Sequence, residues 1–586
     1  MCGIFAYIGD KNNAAQIVLE GLKRLEYRGY DSWGISVKNR RKFIMEKHVG
    51  KIGTAHTMLP ASNFGIGHTR WATHGGVTDF NAHPHLDCTK KISVIHNGIV
   101  ENSEKIKNDL LKKGHKFLSE TDTEVISHLI EENKKKNSFE NAVKKAFNQI
   151  SGLNAIVVAD SESNEIIAAK NGSPIIVGKR DGEYFVASDA SALIPHTRSL
   201  FFVEDNILVV VNKQLKVMSL KSDKIIKPKF EKIDWKIEEA DMGIYRHFMI
   251  KEIHEQPRVI RNIAKNYDRE IALLSKIIKE SQGTFFIGAG TAFHACLAGM
   301  YLFAKIANLH INTAAASEFN YLESFLTKKS LVVAFSQSGE TIDVIEPIIR
   351  AKQKGAKIAA LTNALGSTIY RVSDFKMLLG AGPEKAVAST KAYIAKLSLL
   401  LMLAFSMVGK NEKAKELLLK VAREADRLLS SKSIKQIKSL AKLLSNSQHI
   451  YTIGRGVSYS TALEAALKIK EVSYIHTEGL AGGELKHGTI ALIEKGTPCI
   501  VFAPNDEAFE SIISNATEIK SRGGIIIGVG SEKSSVFDHF IEVEDLAEAS
   551  IIAQVIPAQL LSYYLTLEKK YDPDKPRNLA KSVTVK

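Results

Sequence analysis

The chain has 586 residues, room for three or four domains of about 150 residues each, and its 45% hydrophobic and 24% charged residues exclude a wholly disordered polymer. Lys and Arg outnumber Asp and Glu by 79 to 64, for a net charge of +15, yet the positive residues are dispersed among acids, as at Lys134-Lys135-Lys136, which argues against a nucleic-acid-binding face. Four scattered cysteines (Cys2, Cys88, Cys296, Cys499) and no Cys-x-x-Cys argue against a disulfide framework or a zinc ribbon and point to a reducing, cytoplasmic compartment.

No basic segment followed by a long apolar run opens the chain, so no signal peptide is expected. Instead Cys2 follows Met1. Removal of Met1 would leave Cys2 an α-amino group of pKa about 7.7–8.0, able to act as base for its own thiol. Up to residue 220 the pattern is short apolar strands separated by Gly, Asn and Asp turns, a sheet-dominated α+β region. Its loop Gly67-His68-Thr69-Arg70-Trp71-Ala72-Thr73-His74-Gly75 gathers a guanidinium, hydroxyls and imidazoles suited to a carboxylate. The strand Ile92–Ile95 runs into His96-Asn97-Gly98, where the Asn97 amide and the Gly98 N–H could hold an oxyanion. Thr121-Asp122-Thr123-Glu124 opens a helix over 122–132, and Asp122 could pair with an ammonium group. Plainer roles stand beside these: Arg70 in a surface ion pair, Asn97-Gly98 as a hairpin turn, Asp122 as a helix cap. Strands at 155–158 and 207–211 complete the region, and Lys-, Asp- and Glu-rich residues 221–242 form a linker.

Beyond the linker, strands alternate with helices: 284–288, 331–335 and 357–361, then 449–454, 499–502 and 524–528. That alternation predicts parallel sheets covered on both faces, and the recurrence of Gly288 at Gly454 predicts two related doubly wound lobes. After the strand at 331–335, Ser336-Gln337-Ser338-Gly339-Glu340-Thr341 offers three hydroxyls, an amide and helix-start N–H groups to a phosphate, with a plain helix cap as the alternative. It lacks the lysine of a nucleotide-triphosphate loop. Ala388-Ser389-Thr390-Lys391 opens another helix with further hydroxyls, and the apolar run Leu397–Val408 is too short to span a membrane and reads as a core helix. In a helix over 462–474, Glu464, Lys468 and Glu471 share one face among apolar neighbours, either as ordinary ion pairs or as a proton shuttle between adjacent sugar carbons. Gly483–Gly488 presents His487, a candidate for opening a hemiacetal ring. In the basic tail a docked Lys581 could form a Schiff base with a ketose, where a frayed terminus is the default.

Cys2 with Arg70, Asn97-Gly98 and Asp122 resembles the glutaminase domain of class II amidotransferases, an N-terminal-nucleophile family of αββα fold. With the Ser336–Thr341 loop, the Gly483–Gly488 loop and the segment Arg577–Val585, the whole chain resembles the isomerising glutamine–fructose-6-phosphate aminotransferase family. The resemblance implies a glutaminase domain over 1–220, the linker, SIS lobes over 243–425 and 426–565, and a catalytic tail over 566–586. It implies conversion of fructose 6-phosphate and glutamine to glucosamine 6-phosphate and glutamate, the first step of hexosamine synthesis, in a homodimer with no metal, organic cofactor, nucleic acid or membrane partner.

Carried over residue by residue, Cys2 is the nucleophile, Asn97 and Gly98 form the oxyanion hole, and Arg70, Thr73, His74 and Asp122 hold glutamine. Trp71 gates an ammonia passage. Thr291, Ser336, Gln337, Ser338, Thr341 and Ser389 bind the sugar phosphate. His487, from the partner subunit, opens the ring, Lys581 forms the imine, and Glu471 moves the proton with Lys468, Glu464 and Arg577 in support. Three positions depart from the family pattern: Ala292 replaces a phosphate-facing Ser, Trp33 replaces a small residue, and Lys586 replaces an acid. Other amidotransferases would need a phosphoribosyl-diphosphate or ATP motif, which residues 243–586 lack. A non-catalytic sugar-phosphate sensor would have no use for Glu471, His487 and Lys581.

Overall fold

The computed structural model describes residues 2–232 and 242–583. Met1, residues 233–241 of the expected linker, and 584–586, including Lys586, lie outside the described residues. The chain divides into two compact units, Met1–Asp241 with Ala580–Lys586, and Met242–Leu579.

The first unit contains two antiparallel sheets. In the eight-stranded sheet the order is Glu231–Lys232, Ser199–Phe202, Ile176–Arg180, Glu183–Ala187, Gly3–Ile8, Phe64–Arg70, Ser32–Asn39 and Lys42–Val49. In the six-stranded sheet it is Leu215–Ser219, Ile207–Val211, Glu165–Lys170, Ala155–Asp160, Ile92–Asn97 and His85–Leu86. Strand alternation builds the layers. Ile4, Ala6 and Ile66 of the first sheet meet Ile95, Val157 and Val209 of the second in one apolar core. Phe5 and Tyr7, on the opposite pleat, are also fully buried, and Phe5 lies against Gly21 of helix Ala14–Leu25. Beyond the second sheet, Ile156, Val158 and Ile167 pack on Val125, Ile126 and Val143 of helices Glu124–Lys134 and Phe139–Gln149. The layering is therefore helix, sheet, sheet, helices. Residues at the start of the expected linker return to the first sheet, where Glu231 and Lys232 pair with Leu200 and Ser199.

The second unit repeats one topology. Its sheets run Asn312–Ala315, Thr284–Gly288, Leu331–Ser336, Lys357–Thr362, Phe375–Leu378, and His476–Ala481, His449–Gly454, Pro498–Ala503, Ile525–Gly530, His539–Glu542. Every pairing is parallel, and in both lobes the second strand lies outside the first. Such strands need cover on both faces, hence their continuous apolar runs. Helix Lys391–Met407 is buried through Phe405. The apolar helix Ala547–Glu568 is long enough to cross a membrane but is 89% buried within the fold. A helix apolar all round matches such surroundings.

Candidate active sites

Strand register assembles the sulfur centre. Gly3 pairs with Thr69, and Ser32 with Arg70, so Cys2, Trp71 and Asp31 come together at three neighbouring strand ends. The Trp71 N–H donates to Cys2 Sγ (3.2 Å), and the Ala72 N–H donates to Asp31 Oδ2 (2.8 Å). The Cys2 carbonyl accepts from Asn97 Nδ2 (3.0 Å) and from Arg28 Nε (3.3 Å), while Arg28 is held by Asp189 (3.1 Å).

Asn97 has a supporting residue. His68 Nε2 lies 3.0 Å from the His96 carbonyl and 3.1 Å from Asn97 Oδ1. Both are acceptors, so Nε2 carries the proton and fixes Asn97 with its Nδ2 toward Cys2. Burial pushes the His68 pKa down to about 3, leaving a neutral donor. His83 stacks on that ring at 4.2 Å and meets His85 edge-on at 4.8 Å; burial lowers both as well. Gly98 has φ +138°, and a Cβ there would stand 2.4 Å from the Leu153 carbonyl and 2.8 Å from His96 Nε2, so only glycine fits.

The expected carboxylate grip is also a loop fastener. The Arg70 guanidinium is buried and donates to the carbonyls of His74 (2.5 Å), Gly75 (3.2 Å) and Gly76 (3.1 Å). It therefore shapes the loop carrying the exposed Thr73 and His74. Asp122 Oδ2 accepts the Val100 N–H (2.7 Å), one residue before Thr123, the cap of helix Glu124–Lys134. Trp33 is buried and stacks on His48 at 4.4 Å, which accounts for a large residue at that position. Arg28 was not singled out from sequence, and His68 entered only as a member of the Gly67–Gly75 loop, since their partners are distant in the chain.

In the second unit, strand Leu331–Ser336 delivers the hydroxyl loop to helix Ile342–Gln353. Ser336 Oγ accepts the Gly339 N–H (3.0 Å) and lies 3.1 Å from Thr341 Oγ1, while Ser338 Oγ accepts the Glu340 N–H (3.2 Å). Gly339 has φ +65°, and a Cβ there would strike Ser367 Oγ at 2.0 Å. Among the described residues, Gln337 Oε1, Thr362 Oγ1, Ser367 Oγ and Thr390 Oγ1 are buried polar atoms without a hydrogen-bond partner. Buried polar groups are ordinarily satisfied, and a polar ligand would supply partners. Ser389 Oγ donates to Glu384 Oε2 (3.0 Å), and Glu384 Oε1 also accepts the N–H groups of Thr390 and Ala392 (both 3.0 Å). Ser389 must break its bond to Glu384 before it can donate to a phosphate. Ala292 is buried, with its methyl against Gly288.

The charged stripe lies on helix Ser458–Ser473. Glu464 and Lys468 are fully buried, whereas the Glu471 side chain is 21% exposed. Lys468 Nζ lies 2.5 Å from Glu471 Oε2 and 3.5 Å from Glu464 Oε1. Glu464 reaches the other lobe, accepting from Thr291 Oγ1 (3.1 Å) and pairing with His294 Nδ1 (2.8 Å). Burial opposes the Lys468 charge, but Glu471 and Glu464 outweigh it and raise the pKa, so Lys468 is an ammonium ion and not a base. His294 and Glu384 went unnoticed in the sequence because nothing local marks them.

The tail docks before its end. Asp574 accepts the N–H groups of Phe248 and Met249 (both 2.8 Å). The Arg577 N–H donates to Tyr474 Oη (2.7 Å), and its guanidinium lies 4.3 Å above that ring. His487 is exposed on the short helix Glu484–His487, and Lys581 is half-buried in the segment grouped with the first unit.

The family descriptions that match are a glutamine amidotransferase domain over residues 68–195 and SIS domains over 277–406 and 443–569. A protein of Thermococcus kodakarensis named glutamine–fructose-6-phosphate aminotransferase (isomerizing) is 42% identical, with all of both chains covered. One of the same name from Clostridium perfringens is 39% identical, again over all of both chains. Among solved structures, the C-terminal domain of glucosamine-fructose-6-phosphate aminotransferase from Francisella tularensis matches with TM-score 0.54 and 30% identity, covering 57% of this chain and all of that one.

Proposed function

We propose, from the premise that the chain belongs to the isomerising glutamine–fructose-6-phosphate aminotransferase family, that it converts glutamine and fructose 6-phosphate to glutamate and glucosamine 6-phosphate. The observation that carries this reading is the presence in one polypeptide of a sulfur centre with an amide bonded to its carbonyl, Cys2 and Asn97, and a carboxylate–ammonium–carboxylate stripe, Glu464, Lys468 and the partly exposed Glu471.

In the first unit the Cys2 α-amino group, freed by loss of Met1, takes the thiol proton, the thiolate attacks the glutamine side-chain carbonyl, and that proton passes to the amide nitrogen as it leaves. Asn97 Nδ2 turns from the Cys2 carbonyl to the oxyanion, joined by the Gly98 N–H. Arg70, Thr73 and His74 hold the amino acid carboxylate, and Asp122 holds its ammonium. Water then cleaves the thioester to release glutamate. The departing ammonia passes internally, with Trp71 as gate, because in bulk water it would be protonated and lose its nucleophilic lone pair.

In the second unit, Ser336, Gln337, Ser338 and Thr341 receive the phosphate, with Thr291 and Ser389 nearby. The orphaned polar atoms around Gly339 support this placement. His487 of a second copy opens the ring and Lys581 forms the imine, so the working enzyme is a homodimer. Because Lys468 is held as a cation and Glu464 is fully buried, Glu471 moves the proton between the sugar carbons. Arg577 holds the tail against Tyr474.

The decisive measurement is mass balance with glutamine and fructose 6-phosphate as the substrates. Glutamate and glucosamine 6-phosphate should appear in equal amounts. Glutamate without amino sugar would overturn the reading.

A further inference from the structure

On the outer side of the six-stranded sheet, four side chains that the proposed chemistry does not use converge on one point. Cys88 lies in the loop between strands His85–Leu86 and Ile92–Asn97, His115 follows helix Ser103–Lys112, and His128 and Glu131 lie one turn apart on helix Glu124–Lys134. Their ligand-type atoms all fall within 4.8 Å of one another. Cys88 Sγ is 3.5 Å from His128 Nδ1 and 3.8 Å from His115 Nδ1. Glu131 Oε2 is 3.1 Å from His115 Nδ1 and 3.4 Å from His128 Nδ1. With metal–nitrogen and metal–oxygen bonds near 2.0–2.1 Å and a metal–sulfur bond near 2.3 Å, a tetrahedral site has ligand–ligand edges of roughly 3.3–3.6 Å. The four distances cluster about that range.

The second nitrogens of the two rings differ. His115 Nε2 lies 3.1 Å from Glu132 Oε2, an outer carboxylate of the kind that orients a histidine ligand. His128 Nε2 is buried 3.6 Å from Glu124 Oε1, beyond hydrogen-bond reach. The loop is preformed, since Asp87 Oδ1 accepts the N–H groups of Lys91 and Ile92 (both 2.8 Å). The residue exposure of Cys88 gives an ion a way in.

We propose that Cys88, His115, His128 and Glu131 form a structural site for a divalent cation of the zinc class. Four protein ligands fill a tetrahedral shell, so the site is closed to substrate and acts as a fastener. It ties helix Glu124–Lys134 to the loop leading into strand Ile92–Asn97, the strand that ends at Asn97. The missing Cys-x-x-Cys spacing argues against a zinc ribbon and does not bear on this site. Ligands drawn from a loop, a turn and a helix leave no such spacing.

The test uses the full chain loaded with Zn²⁺ or Co²⁺ and then desalted. About one zinc per chain should be retained, and the cobalt form should show thiolate-to-metal charge transfer with four-coordinate d–d bands. Cys88→Ser and His128→Ala should lose stoichiometric zinc, and Cys88→Ser should lose the charge-transfer band, with the fold checked by circular dichroism. Cys2→Ser should keep both. The proposal is overturned if the parent chain keeps less than about a tenth of an equivalent, or if zinc persists in Cys88→Ser. It is equally overturned if the cobalt signature disappears in Cys2→Ser instead.

Discussion

Around Cys2, burial removes charge: His68, His83 and His85 are all driven toward the neutral form, the sulfur is met by the Trp71 N–H, and the Asn97 amide donates to the Cys2 carbonyl. Around Glu464, charge is retained despite burial, because Lys468 stands between two carboxylates and its proton is held more tightly than in water. An oxyanion that appears only in a transition state is best served by neutral donors already in place. Proton movement between adjacent carbons needs a carboxylate whose charge is preserved, and a buried counter-ion achieves that. Local polarity in each unit is thus matched to the charge its reaction develops.

The contrast can be broken, and the most damaging change is at the sulfur. Cys2→Ala should lower glutamine-dependent turnover by at least about 10⁴-fold while fructose 6-phosphate isomerisation survives; glutamate release and isomerisation measured side by side report this. Loss of both activities would show that the two centres are not chemically separate. Lys468→Met should be the costliest change to stability, about 3–5 kcal/mol, because it leaves the fully buried Glu464 without its lysine counter-ion. Its signature is a lower urea midpoint in the tyrosine signal of the second unit, with the tryptophan signal unmoved; all three tryptophans (33, 71 and 235) precede residue 242.

Asn97→Ala should cost about 10²–10³ in glutaminase kcat with little change in KM, the effect of losing one oxyanion donor. Ser338→Ala removes one polar contact to a dianion, so the fructose 6-phosphate Kd should rise by the equivalent of about 1.5–3 kcal/mol. An unchanged Kd would dismiss the phosphate loop. A graded effect is the response to acid. His68 binds its proton near pH 3 when folded and near pH 6.5 when unfolded, so the unfolded chain takes up more protons between those values. Its contribution is complete above about pH 6.5 and is lost on acidification, at a slope approaching 1.4 kcal/mol per pH unit in the window between the two pKa values. The tryptophan-reported transition should weaken over that range, and His68→Gln should reduce the slope.

Much of the second unit was legible because its signals are local. A buried parallel strand must be an unbroken apolar run, so 284–288 and 449–454 were read to the residue, and 331–335, 357–361, 499–502 and 524–528 to within one or two. The Glu464–Lys468–Glu471 stripe followed from helical spacing alone. The first unit was less legible where it matters. Arg28 meets Cys2 and His68 meets Asn97 only because the fold joins segments far apart in the chain, and Asp189, which holds Arg28, is equally remote. Arg70 shows the same limit: its residue type promised an anion grip, while its hydrogen bonds show that it also holds its own loop in shape.

Sequence alone determined the class of each layer, the duplicated lobes and the residue types able to do chemistry, since periodicity and side-chain functional groups are properties of neighbouring residues. Tertiary structure alone decided which groups are charged, which nitrogen of His68 carries the proton, that Lys468 is a counter-ion, and that Cys88, His115, His128 and Glu131 share a centre. Those outcomes depend on desolvation and on distances between segments remote in the chain, and neither quantity is written in a linear order of residues.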